Sequence, residues 1–401
     1  MRPLGVISVV MALSLGLAAR SAAVPLSRLE QRIVATIDRG VPTALGLLER
    51  AVNVNSGTLN FEGVRRVGAL FRQPFARLGF DVRWVDGEAF GRAGHLIAVR
   101  AGRSAGPRVL LIGHLDTVFE PDSPFQRFER TSDSTARGPG VIDMKGGIVV
   151  MLTALQALAE SGVLDRMSVT VVLTGDEEKA GTPLELARRD LLDAARRADV
   201  AIGFEDGDGD SRHAVVARRG TTEWTLRVGG TPAHSSQIFR DDIGSGAVFE
   251  AARILSAFHD SLRGEPFLTF NPGLVLGGTG VGLDSSHVRG TASGKTNVIA
   301  ESTIVVGDLR TLTPEQRDHA KQVMQRIVAA HLPHTQATIA FEDGYPPLAR
   351  ADGNRRLLAI YDQASRDLGL GPGGSHARRR RRRLVHRRDR ADGPRRHRAE
   401  G

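Results

Sequence analysis

Val109-Leu110-Leu111-Ile112-Gly113-His114-Leu115-Asp116-Thr117 is the stretch that decides how this chain folds. Its first four residues are continuously apolar, as a strand buried on both faces requires, and a glycine ends the run. Two residues apart in extended backbone, His114 and Asp116 point the same way. The Asp116 carboxylate can then reach one ring nitrogen and leave the other free for a metal. A lone His-x-Asp is common by chance and is most often a surface pair, so its weight comes from what surrounds it.

Working outward, the pattern alternates. Apolar residues at helical spacing predict a helix from about Leu26 to Arg50 and another from Val64 to Leu78, capped by Gly79. Short β-rich runs follow at Asp81 to Trp84 and Leu96 to Arg100. After the central strand, Ile148, Val149, Leu152, Leu155 and Leu158 predict a helix over Gly146 to Glu160, and Val169 to Leu173 reads as another buried strand. Strands alternating with helices predict an α/β domain with a mainly parallel central sheet. Near Arg218 the order changes to strand (Glu223 to Val228), helix (Ala247 to Phe258), strand (Leu268 to Leu276), strand (Thr296 to Asp308), helix (Pro314 to Ala330) and strand (Gln336 to Glu342). That β-α-β-β-α-β succession is the signature of a ferredoxin-like split unit, here inserted from about Arg218 to Asp343. The chain then returns to the first domain through Gly344-Tyr345-Pro346-Pro347.

Further acidic clusters follow apolar strands or precede helices, the places where open α/β sheets build their sites. Gly138-Pro139-Gly140-Val141-Ile142-Asp143-Met144-Lys145-Gly146-Gly147 puts a carboxylate at a helix start between glycines that permit close backbone approach. Asp143 there could bridge two cations or simply cap the helix. Thr174-Gly175-Asp176-Glu177-Glu178 ends another strand, and Ile202-Gly203-Phe204-Glu205-Asp206-Gly207 ends a third. Adjacent glutamates can divide their labour, one ligating metal and the other taking a proton from water. Either acidic run alone is ordinary solvated surface; four clusters set on strands of one domain are not.

In this order, the segments resemble the zinc aminoacylase and carboxypeptidase group, which includes glutamate carboxypeptidase, acetylornithine deacetylase and succinyl-diaminopimelate desuccinylase. The resemblance covers roughly Leu26 to Ser375. It implies a zinc-exopeptidase-like catalytic domain and an inserted ferredoxin-like α+β lid or dimerisation domain, with two zinc ions per active site. His114 and Glu205 would bind one zinc, Glu178 the other, and Asp143 would bridge them. Asp116 would orient His114, and Glu177 would be the general base. Gly230-Thr231-Pro232-Ala233-His234-Ser235-Ser236 resembles the family's lid segment, whose histidine steadies the developing oxyanion, in dimeric members that of the partner subunit. Asn297 and Arg310 resemble residues that hold a substrate carboxylate, a task for which an arginine fork is suited. Read without the resemblance, His234 could be a turn residue, Asn297 a strand-entry residue and Arg310 a surface cation. The implied function is amide or peptide hydrolysis on small peptides bearing a free carboxylate, by a homodimer. Deacylation of N-acyl amino acids, as in deacetylases and desuccinylases, is the alternative.

Composition narrows the chemistry. With no cysteine among 401 residues, disulfides, thiolate nucleophiles and Cys-based zinc sites are excluded, so any metal must sit on His, Asp and Glu. The net charge of +9 resides entirely in the segment from Ala377 to Gly401, where twelve arginines face Asp389, Asp392 and Glu400. Basicity therefore belongs to a tail and gives no sign of a specific nucleic-acid partner. Residues 1–23, with Arg2, an apolar run from Leu4 to Ala19 and small residues before Val24, read as an export signal. A secreted or periplasmic protein with no later membrane span is expected. The expected layout is thus residues 24–217 and 344–376 for the catalytic domain, 218–343 for the insertion and 377–401 for a disordered Arg-rich tail.

At the C-terminus the family pattern breaks. The group completes its second zinc with a histidine near the end of the chain, downstream of a glycine-rich turn. Here Gly373-Gly374-Ser375-His376-Ala377 runs into six consecutive arginines with almost no apolar residue beyond Leu384 and Val385. A change of reading frame close to His376 is the expected cause, because alanine- and glycine-rich GC-rich codons read one base out of frame give arginine. His376, His386 and His397 lie in no segment that would hold a ligand rigidly. Two further readings follow: a catalytically dead relative, or a protein that binds anions through its Arg tail.

Overall fold

The structure, a computed structural model, describes residues 25–205, 207 and 209–378, and it divides into two compact units. The first runs to Gly209 and includes Ser365–Gly371; the second comprises Asp210–Ala364 and the chain from Pro372. Residues 1–23, read above as an export signal, Asp206 and most of the Arg-rich tail lie outside the described residues. No helix among those described is long and apolar enough to cross a membrane.

In the first unit, helix α1 (Arg28–Val52) starts at a capping box. The Ser27 hydroxyl accepts from the Glu30 amide, and the Glu30 carboxylate accepts from the Ser27 amide at 2.7 Å. Helix α2 (Phe61–Arg77) is capped by Asn60 and stops before Gly79, whose φ of 81° suits glycine. Strands β1 (Asp81–Asp86), β2 (Gly94–Arg100) and β3 (Arg108–His114) follow, then a hairpin of β4 (Glu129–Arg130) and β5 (Ala136–Arg137). Helix α3 (Lys145–Glu160), β6 (Ser168–Thr174), α4 (Leu184–Arg197) and β7 (Val200–Gly203) complete the run.

The five-stranded sheet has the order β1-β2-β6-β3-β7. β3 lies parallel to β6 and β7, while β2 is antiparallel to both its neighbours, so four of five strands share a direction. The mainly parallel sheet predicted from the apolar runs is present, with β2 as its reversed member. Val64, Val67, Phe71 and Phe75 of α2 and Ile148, Met151 and Leu155 of α3 pack into one core with Leu111, Val171 and Leu173 of the sheet. Complete burial of Phe71 or Phe75 contributes about 1.5–3 kcal/mol each. Because β3, β6 and β7 run the same way, their C-terminal ends deliver His114, the Gly175–Glu178 loop and Glu205 to one edge of the sheet.

The turn into α3 is unusually constrained. The Met144 sulfur, fully buried, accepts from the His114 amide at 3.1 Å. A Cβ on Gly146 would lie 2.1 Å from the Val141 carbonyl oxygen, and one on Gly147 2.0 Å from that of Phe204, so both must be glycine. Lys145 is fully buried, and its ammonium donates to the carbonyls of Ala51 and Val54, 3.0 Å each, at the C-terminal end of α1. Burial pushes this amine down to about 7. Lys145→Met keeps the volume but takes a donor from two carbonyls, of which that of Ala51 keeps the Val54 amide and that of Val54 is half-buried; a loss of about 1–2 kcal/mol is expected in urea unfolding at neutral pH. Unchanged stability would show that water replaces the ammonium.

The second unit holds β8 (His213–Arg218), β9 (Gly220–Gly230), α5 (Gly246–Leu262), β10 (Thr269–Gly278), a hairpin of β11 (Gly280–Leu283) and β12 (Gly290–Ser293), β13 (Ser302–Thr311), α6 (Pro314–Ala329), β14 (Thr335–Asp343), α7 (Asp352–Asp367) up to Ala364, and β15 (Gly374–Arg378). Its antiparallel sheet runs β10-β13-β9-β14, so β9-α5-β10-β13-α6-β14 is a split β-α-β-β-α-β unit, as its sequence order predicted. Trp224, Leu226 and Val228 on one face of β9 pack with Ile254 and Phe258 of α5 and Met324 of α6. The third strand starts later than its apolar run suggested: residues 296–301 form a loop whose backbone binds the Ala233–Ser235 segment. β15 pairs in parallel with β8, which corrects two expectations: His376 lies in a paired strand opposite Val215, and the strand extends through Ala377 and Arg378 of the segment expected to be disordered, because backbone pairing needs no apolar side chains.

Candidate metal centre

His114, 1% exposed at the end of β3, turns its two nitrogens to different partners. Nδ1 lies 3.0 Å from the main-chain oxygen of Asp116 and 3.4 Å from that residue's carboxylate. Nε2 faces outward to Asp143 Oδ1 at 3.0 Å and Glu205 Oε1 at 3.1 Å. The ring is thus oriented by Asp116 chiefly through the backbone. The Asp116 carboxylate, itself fully buried, accepts from the Thr58 hydroxyl at 2.6 Å and from the amides of Glu177 and Glu178 at 3.0 and 3.1 Å.

Asp143 does not cap α3. That helix is entered through Met144 with no side-chain cap, and the Asp143 carboxylate points at the imidazole instead. One ligand atom each from His114, Asp143 and Glu178 lie within 4.8 Å of one another. Asp143 therefore belongs both to this grouping and to the set of carboxylates facing His114 Nε2. Among the described residues no second histidine joins this group; the side chain of His376 lies outside them.

Electrostatics favour a cation here. Burial pushes the His114 ring down, but the carboxylates of Asp116, Asp143 and Glu205 outweigh it and hold the ring well above its ordinary value. Glu178 is pushed up to about 8, first by burial and then by the charge of Asp143. For Asp116, burial is opposed by hydrogen bonds from His114, Thr58 and the Glu177 amide, which leave it below the usual carboxylate range. An imidazole nitrogen and crowded carboxylates, with the other ring nitrogen already engaged, fit a divalent ion such as zinc.

Several supporting residues had no sequence signal. Thr58 lies in a polar loop between α1 and α2 that reads as a plain connection. Asp176, fully buried, binds Arg188 of α4 at 2.6 Å and accepts from the Gly181 amide, while Arg188 also donates to the Asp176 carbonyl at 3.1 Å. His95 stacks on Phe90 at 5.1 Å and accepts from the Gly175 amide at 3.2 Å.

In the second unit, His234 is exposed and its Nδ1 accepts from the Ser236 amide at 3.2 Å. Its segment and that of Asn297 are brought together: the Asn297 carbonyl accepts from the Ser235 amide, and the Ala233 carbonyl from the Ile299 amide, both at 2.9 Å. Arg310 is not with them. It lies eight positions along β13 from Ser302, about 27 Å at strand rise, and its Nε donates to Asp308 at 2.6 Å. Asn297 and Arg310 of one chain thus form no single carboxylate clamp in this unit.

Comparison with known proteins accords with this centre. Over 335 residues the chain is 26% identical to carboxypeptidase G2 of Pseudomonas sp. (strain RS-16), spanning 82% of this chain and 75% of that protein. It is 41% identical over 174 residues to the succinyl-diaminopimelate desuccinylase of Gluconacetobacter diazotrophicus, 41% of this chain and 44% of that enzyme. The fold is shared with aminopeptidase PepT of Bacillus cereus (TM-score 0.65, 20% identity, 83% of this chain and 84% of that one). It is shared too with the Bacillus subtilis YXEP protein, described as a dinuclear metal binding peptidase (TM-score 0.54, 16% identity, 86% and 83%). Residues 110–379, well over half of the sequence and carrying all the metal-centre residues, match the profile of Peptidase family M20/M25/M40. The chain belongs to that family and is built as a metallopeptidase-type hydrolase.

Proposed function

We propose that this protein is built as a dinuclear-zinc hydrolase of amide or peptide bonds, of carboxypeptidase type, acting as a homodimer on small peptides with a free carboxylate, and that its Arg-rich C-terminus leaves the present chain impaired. The observation that carries the reading is the convergence of His114, Asp143 and Glu178 with Glu205 beside the imidazole and Glu177 next in the chain. His114 and Glu205 would hold one zinc, Glu178 the other, with Asp143 shared. When bound, the ions supply Lewis-acid polarisation of the scissile carbonyl and make water a better nucleophile at neutral pH. Glu177 takes the proton of the attacking water and delivers it to the leaving amine. His234 donates a hydrogen bond to the developing oxyanion. Arg310 and Asn297 recognise the substrate carboxylate, and the length of β13 between them supports a homodimer in which each serves a different active site. The domain layout of residues 24–217 and 344–376 around an inserted 218–343, and export through residues 1–23, belong to the same reading.

The stretch of higher identity to a desuccinylase favours a second reading, hydrolysis of N-acyl amino acids. Both substrate classes carry a free carboxylate. With zinc added, calorimetry is expected to show an N-acyl glutamate or a dipeptide binding at least about tenfold more tightly than its carboxamide, since a carboxylate–arginine fork is lost in the amide. Equal affinity would rule out carboxylate recognition.

A further inference from the structure

We propose that Thr58, which lies outside every motif, is a positioning residue for the metal centre, acting through Asp116 on the peptide that joins Glu177 to Glu178. This deepens the zinc-hydrolase reading and rests on it. Thr58 is 2% exposed, and its hydroxyl donates to Asp116 Oδ2 at 2.6 Å, among the shortest polar contacts around the site. Its position is not left to a loose loop. The Ser56 hydroxyl donates to the Leu115 carbonyl, the Thr117 amide to the Ser56 carbonyl, and the Thr58 amide to the Thr117 carbonyl, at 2.9, 2.8 and 3.2 Å. The segment from Ser56 to Thr58 therefore runs beside that from Leu115 to Thr117 like a short added strand. A Cβ on Gly57 would lie 2.6 Å from the Glu120 Cα, so this segment packs closely on Glu120 and admits no side chain there.

What Thr58 holds is a carboxylate with two jobs. Asp116 Oδ1 accepts from the Glu177 amide and Oδ2 from the Glu178 amide, so its rotamer sets where these two consecutive residues stand. His114 makes its shorter contact to the Asp116 main chain and lies 3.4 Å from the carboxylate, so the carboxylate plane needs a closer fixed point. Thr58 supplies that fixed point. On the other side, Arg188 grips both the carboxylate and the carbonyl of Asp176, so the loop is pinned just before Glu177 as well. Removing the hydroxyl frees Asp116 to rotate about its terminal torsion, which is broad and softly restrained in carboxylates, and Glu178 moves with it. Loss of such an outer partner typically costs about 10–100-fold in metal affinity.

The test uses the dialysed full chain and zinc itself, titrated against a chromogenic chelator, with hydrogen exchange at the Glu177 and Glu178 amides read in parallel. Thr58→Val is expected to weaken zinc about 10–100-fold and to speed exchange at both amides, with thermal unfolding little changed. Thr58→Ser is expected to restore both. Unchanged zinc affinity in Thr58→Val, or a serine variant as weak as the valine one, would overturn the proposal. Should Thr58→Val not fold, the metal-free wild type still decides: the two amides are expected to exchange more slowly than those of Lys179 and Ala180, and equal exchange would overturn the role. Failure of the wild type to take up zinc would refute the hydrolase reading instead, while the exchange data would still judge Thr58.

Discussion

Glu177→Gln is expected to lower turnover by a factor of about 10² to 10⁴ while zinc content stays at the wild-type level, because a general base contributes a step and not a ligand. The expectation comes from how the two glutamates are placed. Glu178 contributes an atom to the grouping with His114 and Asp143, and burial together with the charge of Asp143 raises it in the way a shared cation would relieve. Glu177 shares its backbone restraint but is not part of that grouping. Glu178→Gln should accordingly lose metal as well as activity. The measurement is zinc per chain by elemental analysis beside a hydrolysis assay, made in a version carrying an intact family C-terminus. If Glu177→Gln lost zinc and Glu178→Gln retained it, the two roles would be exchanged.

Metal stoichiometry of the chain as it stands gives the second large effect. On the proposed assignment one position would have His114 with Asp143 and Glu205 each about 3 Å from its Nε2, while the other would have Glu178 and the shared Asp143. Zinc in catalytic sites usually keeps about three protein ligands. At most about one tightly held zinc per chain and very low hydrolytic activity are therefore expected. Solubility should suffer as well, since β7 stands at the edge of its sheet with Ile202 43% exposed. Replacing the sequence after His376 with the C-terminal segment of a family member should bring zinc to two per chain and recover activity. Two tight zinc ions and full turnover without that restoration would make the Arg-rich tail an authentic part of a working enzyme.

Much of this architecture was legible because it follows from periodicity. Val109–Ile112 and Val169–Leu173 are buried on both faces and carry few polar interruptions, so parallel strands announce themselves. The ligand candidates were legible because each stands just past such a strand or at a helix start. What escaped was fixed by tertiary contact. Helix α7, with Ile360 67% and Tyr361 42% exposed, has a weakly buried face and little to distinguish it from a polar connection. The β11–β12 hairpin has two strands of four residues each, in which Val281, Leu283 and Ala292 stand singly among glycine, threonine and serine, so it shows no apolar run. Thr58, Arg188 and His95 reach the centre only after the chain has folded, and nothing in their neighbours marks them. The separation of Asn297 from Arg310 was hidden for a different reason: thirteen residues of sequence say nothing about distance until it is known that nine of them, from Ser302 to Arg310, run straight along one strand.

The five residues from Asp143 to Gly147 leave natural variation almost nothing to work with. One reaches the imidazole, the next receives the amide of that same histidine, the third closes the end of α1, and the last two admit no side chain at all. These constraints come from four places in the chain, His114, the end of α1, Val141 and Phe204, so no single compensating change elsewhere could release them all. A lineage can drift freely over most of this scaffold, but this pentapeptide has to be inherited whole. Among distant relatives it would serve as a better marker of descent than any stretch of the hydrophobic core, where one apolar residue can stand in for another.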